Sequence, residues 1–322
     1  MYVEQGFKGL HEWWRYIVGL VIVVIGVIIG QMPFGLAVII KMKMMGDTPQ
    51  QLDQTQMLAI LDSNLGLFLM LLTFAAGLGA LFLVVKFLHH LSLKQLTTSR
   101  PKIDWKRVFF IFLLWGIISS GFILIEYWMA PEDYVLNFKP LQFAVLCLIA
   151  IIMIPLQTAF EEYLFRGYLM QGIGVIFKNK WLPLLITSVT FGLLHIANPE
   201  VDKLGYTILV YYIGTGFFLG IMTLMDEGLE LSLGFHAANN LFTALLVTAD
   251  WTAFQTYSVL KDVSEPGKTG LFEIFIPVFV VFPILLFILS KRYKWTNWKD
   301  KLFGQVIEPQ QTGSIDELGQ ST

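Results

Sequence analysis

Cysteine and charge are the two things this chain has least of. A single cysteine, Cys147, stands among 322 residues. That excludes an intramolecular disulfide and any cysteine-rich metal site. Charged residues make up 14% of the sequence, against about 25% in a soluble domain. The net charge of −2 offers no basic footprint for nucleic acid. No internal repeat and no second soluble domain can be read from the pattern. The first apolar run lacks a small-residue cleavage site and is long enough to span, so it is expected to be an uncleaved helix rather than a signal peptide.

What fills the chain instead is apolar: 56% of it is hydrophobic. Eight runs approach the roughly 20 residues that a bilayer crossing needs. They cover 16–40, 65–85, 108–128, 142 onward, 181–197, 206–225, 229–248 and 272–290, the fifth being short. The fold class is therefore all-α, a polytopic transmembrane bundle of about eight helices. Gly26-x-x-x-Gly30 and Gly216-x-x-x-Gly220 suit close helix contacts. Trp13, Trp14, Trp105, Trp128 and Trp181 sit near run ends, as an interfacial belt requires.

Loop charge sets the orientation. Lys86, Lys94, Arg100, Lys102, Lys106 and Arg107 follow the second run, and Lys291, Arg292, Lys294, Lys299 and Lys301 follow the eighth. The alternate loops are poorer: the link after the third run offers only Lys139 and the one after the fifth only Lys203. Positive-inside counting then expects both termini in the cytoplasm. The basic clusters serve as topology markers that also meet anionic lipid. His89 and His90, in the same loop, read as interfacial residues rather than ligands. The segments 47–62 and 249–270 are polar and expected outside, the second with a turn at Pro266-Gly267. The tail from Gly304 is expected to be disordered. Four parts result: N-terminal helices and basic loop (1–141), a core (142–248), an external loop with the last helix (249–303), and the tail (304–322).

The core carries polar residues at membrane depth, where they are costly and mark function. Glu162 and Arg166 are four apart on a helix and pair. Glu161 lies about 100° round from Glu162 and has no cation at the favoured spacing. A carboxylate so placed in apolar surroundings is suited to take a proton. His195 follows Phe191 on the fifth run. His236 and Asn240 lie one turn apart on one face of the seventh. If the fourth helix continues to about Phe177, Glu161 and His195 stand level in a hairpin, about 20 Å from its turn. Glu161, His195, His236 and Asn240 then converge on one polar cavity.

Three motifs in order, Glu161-Glu162-x-x-x-Arg166, Phe191-x-x-x-His195 and His236-x-x-x-Asn240, resemble those of the CPBP family of intramembrane proteases. That group holds type II CAAX prenyl endopeptidases and bacteriocin-processing or immunity (Abi) proteins. The resemblance covers about 142–248. It implies a peptide hydrolase of the membrane, here expected in a bacterial plasma membrane, acting on a peptide or membrane-protein substrate, with lipid as its other partner and no nucleic acid. The residues permit hydrolysis by activated water: Glu161 as base, His195 holding or sharing the proton, and His236 and Asn240 donating to the oxyanion. Glu162, Arg166 and Phe191 are structural or orienting. No cofactor is favoured. Zinc on the two histidines and a glutamate stays open as an alternative, although no His-Glu-x-x-His pair is present. Ser232, four residues before His236, is a formal nucleophile without a Gly-x-Ser-x-Gly elbow. Cys147 is too far along its helix to share the site. Two rival classes stand behind the enzyme: a non-catalytic immunity or binding protein on the same scaffold, then a proton-coupled carrier, which would normally show repeats.

Overall fold

The computed structural model describes residues 1–46, 54–265 and 271–309. The beginning of the polar stretch after Gly46, the turn expected at Pro266-Gly267 and the tail beyond Pro309 lie outside the described residues. The chain is an all-α membrane bundle. Among the described residues, six helices are long and apolar enough to cross a bilayer: α1 (Trp13–Met45), α2 (Ser63–Leu88), α3 (Trp105–Met129), α4 (Pro140–Phe177), α6 (Tyr206–Asp226) and α8 (Glu273–Tyr293). Between them lie α5 (Trp181–Ala197), which is shorter, and α7 (Glu230–Leu246), of 17 residues. The eight expected runs are thus eight helices, but two fall short of a full span. The reason lies in α7's own sequence: Glu230, Ser232, His236, Asn239 and Asn240 dilute its apolar residues, and the helix is sheltered between α3 and α4 rather than by lipid.

Small residues set the spacing of the helices. A Cβ on Gly26 or Gly30 of α1 would lie 2.5 or 2.6 Å from the Cβ of Ala80 or Ala76 on α2, so this pair of glycines lets the two backbones meet. On α6, a Cβ at Gly216 would come within 2.5 Å of the Ser188 carbonyl oxygen on α5. Among the described residues, three short strands close the end away from the termini: β1 (Tyr134–Leu136), β2 (Val247–Ala249) and β3 (Leu260–Asp262), in the order β1-β3-β2. β3 pairs antiparallel with β1 and parallel with β2.

Both termini gather at the opposite end. The turn Val3–Lys8 packs on the last turns of α4. The tail does not loosen at Gly304 as expected. Val306 is buried, its N–H donates to the Lys178 carbonyl at 3.0 Å, and the Gly304 carbonyl accepts from Lys180 N at 3.1 Å. An apolar side chain with a pocket to enter fixes these residues, which composition alone does not reveal. The basic loop is also more than a charge marker. Arg100 reaches Asp226 Oδ2 at 2.8 Å and Glu230 Oε2 at 3.0 Å, and Arg107 pairs with Asp226. These arginines tie the loop to the ends of α6 and α7, while Lys86, Lys102 and Lys106 remain exposed. His89 is not interfacial. It is buried, with Nδ1 donating to the Leu10 carbonyl at 2.7 Å and Nε2 at 2.9 Å from the Tyr168 hydroxyl. Burial pushes its pKa below the ordinary imidazole value, as suits a neutral clamp between the N-terminal segment and α4.

Candidate active site

The two adjacent glutamates sit where α4 changes character. Pro155 lies within the helix, where it removes one backbone donor. A π-helical stretch, Tyr163–Leu169, begins directly after Glu162. Such turns are frequent at functional sites, because one extra residue re-aims its neighbours.

Here the re-aimed neighbours enclose His236 of α7. Glu162 Oε1 accepts from His236 Nδ1 at 2.8 Å and from Arg166 Nη1 at 3.0 Å. Glu161 Oε2 stands 3.5 Å from His236 Nε2. The Glu162–Arg166 pair is wholly buried. Arg166 also donates to the Gly216 carbonyl at 3.1 Å, and its guanidinium lies 4.3 Å from the centre of the Phe191 ring. Phe191 therefore supports the cation through its π face.

Glu161 is not without a local partner. Gln157, one turn earlier, donates from Nε2 to Glu161 Oε1 at 2.7 Å. Gln157 Oε1 in turn accepts from Asn240 Nδ2 at 3.0 Å, Asn240 Oδ1 accepts from Asn239 at 3.1 Å, and Asn239 Oδ1 accepts from the Trp115 indole at 3.1 Å. A chain of neutral amides thus runs from α3 across α7 to the catalytic candidate on α4. The spacing of Gln157 and Glu161 was readable in the sequence as an i,i+4 pair. Asn239, about 100° round the helix from Asn240, also borders the site.

His195 occupies the far wall. It sits in the 3₁₀ turn that ends α5, with its ring stacked on Tyr212 at 4.2 Å. Its Nδ1 lies 2.8 Å from the Phe191 carbonyl. A carbonyl oxygen can only accept, so Nδ1 carries a proton and neutral His195 presents Nε2 as a lone pair. Glu161, His195, His236 and Asn240 line one cavity of about 400 Å³, as their depths predicted. The strap after α7, residues 247–254, forms another part of its wall.

Ser232 is elsewhere. It is buried against α6, hydrogen-bonded to Thr223 Oγ1 at 2.7 Å and to the Leu219 carbonyl at 3.1 Å. Among the described residues, no three His, Cys, Asp or Glu side chains are grouped as donors for one ion. Two cavity residues carried no sequence signal: Glu200, on the short helix Pro199–Leu204, and Trp251, on the strap.

Residues 140–242 match the family model described as type II CAAX prenyl endopeptidase Rce1-like, and all three polar motifs fall inside that stretch. This third of the chain is thus similar to an Rce1-like domain, within an integral membrane protein. The chain is also 28% identical over 242 residues, 75% of its own length and 80% of the relative's, to the uncharacterized protein YyaK of Bacillus subtilis (strain 168). No solved structure matches.

Proposed function

We propose that this protein is an intramembrane endopeptidase that hydrolyses a peptide bond with a glutamate-activated water. The observation that carries the reading is the placement of His236 between Glu161 and the buried Glu162–Arg166 pair, facing a cavity. Glu162 and Arg166 neutralise one another. Glu161 and His236 Nε2 then flank the one position where a further proton can sit between them, because the Nδ1 proton of His236 is donated to Glu162.

With that proton on Nε2, His236 is a donor and Glu161 a base in the same site. Glu161 takes a proton from water, and the Nε2 lone pair of His195 helps to hold it. The water oxygen attacks the peptide carbonyl. His236 Nε2–H and the second amide N–H of Asn240 donate to the developing oxyanion, each such donor being worth roughly 2.7–4 kcal/mol in comparable sites. Glu161 then passes the proton to the departing amine. Its adjoining amide, Gln157, keeps Glu161 aimed without adding charge.

Orientation belongs to the same proposal. The termini and the exposed Lys86, Lys102 and Lys106 share one end of the bundle, which positive-inside counting assigns to the cytoplasm. The strap end of the cavity then faces the exterior. Membranes from cells expressing wild type and Glu161→Gln, compared by terminal-peptide proteomics, test the reading. Cleavage products present only with wild type are expected, at equal amounts of folded protein. Identical product profiles would refute it and favour the non-catalytic binder.

A further inference from the structure

The π-helical turn that follows Glu161 and Glu162 is gripped from outside α4. In a regular helix the Met170 N–H would go to the Arg166 carbonyl. Here it goes to the carbonyls of Phe165 and Gly167, and the Arg166 carbonyl accepts from the Tyr2 hydroxyl at 3.1 Å. The same hydroxyl donates to the Leu96 carbonyl at 2.7 Å. Leu96 belongs to the short helix Leu93–Thr97, and the last carbonyls of a helix have no partner within it. One buried hydroxyl thus bridges the basic loop and the π-helical turn.

The same short helix holds the turn elsewhere as well. Thr97 Oγ1 donates to the Leu93 carbonyl at 2.7 Å, so the Tyr163 hydroxyl, 2.9 Å away, donates to Thr97. A Cβ on Gly167 would lie 3.2 Å from Leu96 Cγ, so the missing side chain lets Leu96 close on the turn.

Resting on the peptidase reading of the cavity, we infer that Tyr2 is a positioning residue for the active site and acts through Arg166. The backbone that its hydroxyl holds carries the guanidinium paired with Glu162 Oε1, and that oxygen receives His236 Nδ1. A line of contacts therefore runs from Tyr2 to the imidazole that faces the cavity. Loss of the bridge frees the turn to shift along Leu96. The pair between the turn and His236 is wholly buried, and a close-packed interior passes such a shift on. Small misplacements at a reacting centre lower the rate of the chemical step.

His236 gives the test a readout apart from activity. In full-length protein in detergent, isotopically labelled in its histidine rings, the His236 Nδ1–H resonance is identified by its loss in His236→Gln. Tyr2→Phe should move or broaden that resonance, and Val3→Ala should not. Val3 is buried in the same segment, against Gly174, and its truncation leaves the bridge intact. Turnover is read with a quenched fluorescent peptide copied from a cleavage product that only wild type releases. Tyr2→Phe should lower kcat about tenfold, the low end for losing an orienting partner, with KM within about twofold. Val3→Ala should lower Tm and leave kcat per folded molecule unchanged.

An unmoved His236 resonance or a wild-type kcat in folded Tyr2→Phe would overturn the assignment, as would the same changes in Val3→Ala. Should Tyr2→Phe not fold, para-aminophenylalanine in place of Tyr2, a weaker donor of the same shape, decides: a smaller change in the same direction is expected, and wild-type resonance and kcat overturn the proposal. If wild type releases no product, the peptidase reading fails and the His236 resonance alone decides whether Tyr2 sets the site. Product release with an unmoved resonance would keep the peptidase reading and remove Tyr2 from it.

Discussion

Replacing Glu162 with glutamine tests the whole construction of the site. The side chain is fully buried, and its Oε1 serves both Arg166 and His236. Glutamine retains the oxygen but leaves the Arg166 charge without a counter-ion where the protein excludes water. Breaking a buried pair from one side costs about 3–5 kcal/mol. The lower end applies here for two reasons. Arg166 keeps its bond to Gly216 and its place over Phe191. The pair is also imperfectly satisfied, since Glu162 Oε2 and Arg166 Nε have no partner among the described residues. A loss of about 3 kcal/mol, at about 2–4 °C per kcal/mol for a chain somewhat smaller than this one, lowers Tm by about 6–12 °C. The assay is thermal unfolding in detergent beside turnover per folded molecule. The double variant Glu162→Gln/Arg166→Met should recover most of the Tm, because removing both charges removes the desolvation penalty with them. Its turnover should stay reduced by roughly 10–100-fold, the scale of losing an orienting partner behind a functional histidine. A single variant as stable as wild type, or a double variant less stable than the single, would refute the reasoning.

Glu161→Gln should abolish turnover while moving Tm by no more than about 1 kcal/mol equivalent, since the bond from Gln157 has a neutral replacement; a large Tm loss with activity in proportion to folded protein would make Glu161 structural. Asn240→Ala should cut turnover about 10²–10³-fold with little change in KM, as for an oxyanion donor. Asn239→Ala should act mainly on Tm through its bonds to Trp115 and Asn240, and equal turnover in the two folded variants would remove Asn240 from the mechanism. With Cys147 replaced by serine, a cysteine at exposed Glu265 should react with an impermeant maleimide on intact cells and one at exposed Lys102 should not; the reverse pattern overturns the orientation. Activity should survive exhaustive chelation, and stoichiometric zinc whose return alone restores activity would replace the mechanism with a metal-bound water.

The site was legible where chemistry follows helical spacing. Glu162 and Arg166 pair as an i,i+4 couple should, and the depths of Glu161 and His195 bring both to one cavity. What spacing cannot give is the partner across a helix interface. Sequence put Glu162 with Arg166 alone, whereas the structure makes the same oxygen hold His236. The π-helical turn after Glu162 has no counterpart in the apolar pattern, and it alters the directions that a regular 100° step assigns. His89 went the same way: loop position suggested the interface, and a fold-dependent meeting with Leu10 and Tyr168 buries it.

The two shortfalls in helix length and the site have one physical cause. A helix facing lipid must be apolar around its circumference for about 20 residues. α7 cannot be, because it presents His236, Asn239 and Asn240 toward α4 and the cavity. α5 stops early because a 3₁₀ turn and then a short helix bring His195 and Glu200 into the cavity wall. Both helices are relieved of the full crossing by neighbours: α7 packs between α3 and α4, and α5 against α6. Longer, uniformly apolar α1, α2, α3 and α8 carry much of the exposed apolar surface. Polar groups inside a membrane thus require a division of labour among helices: the two segments that read weakest as membrane spans bring His195, His236 and Asn240 to the cavity, and the full span α4 brings Glu161.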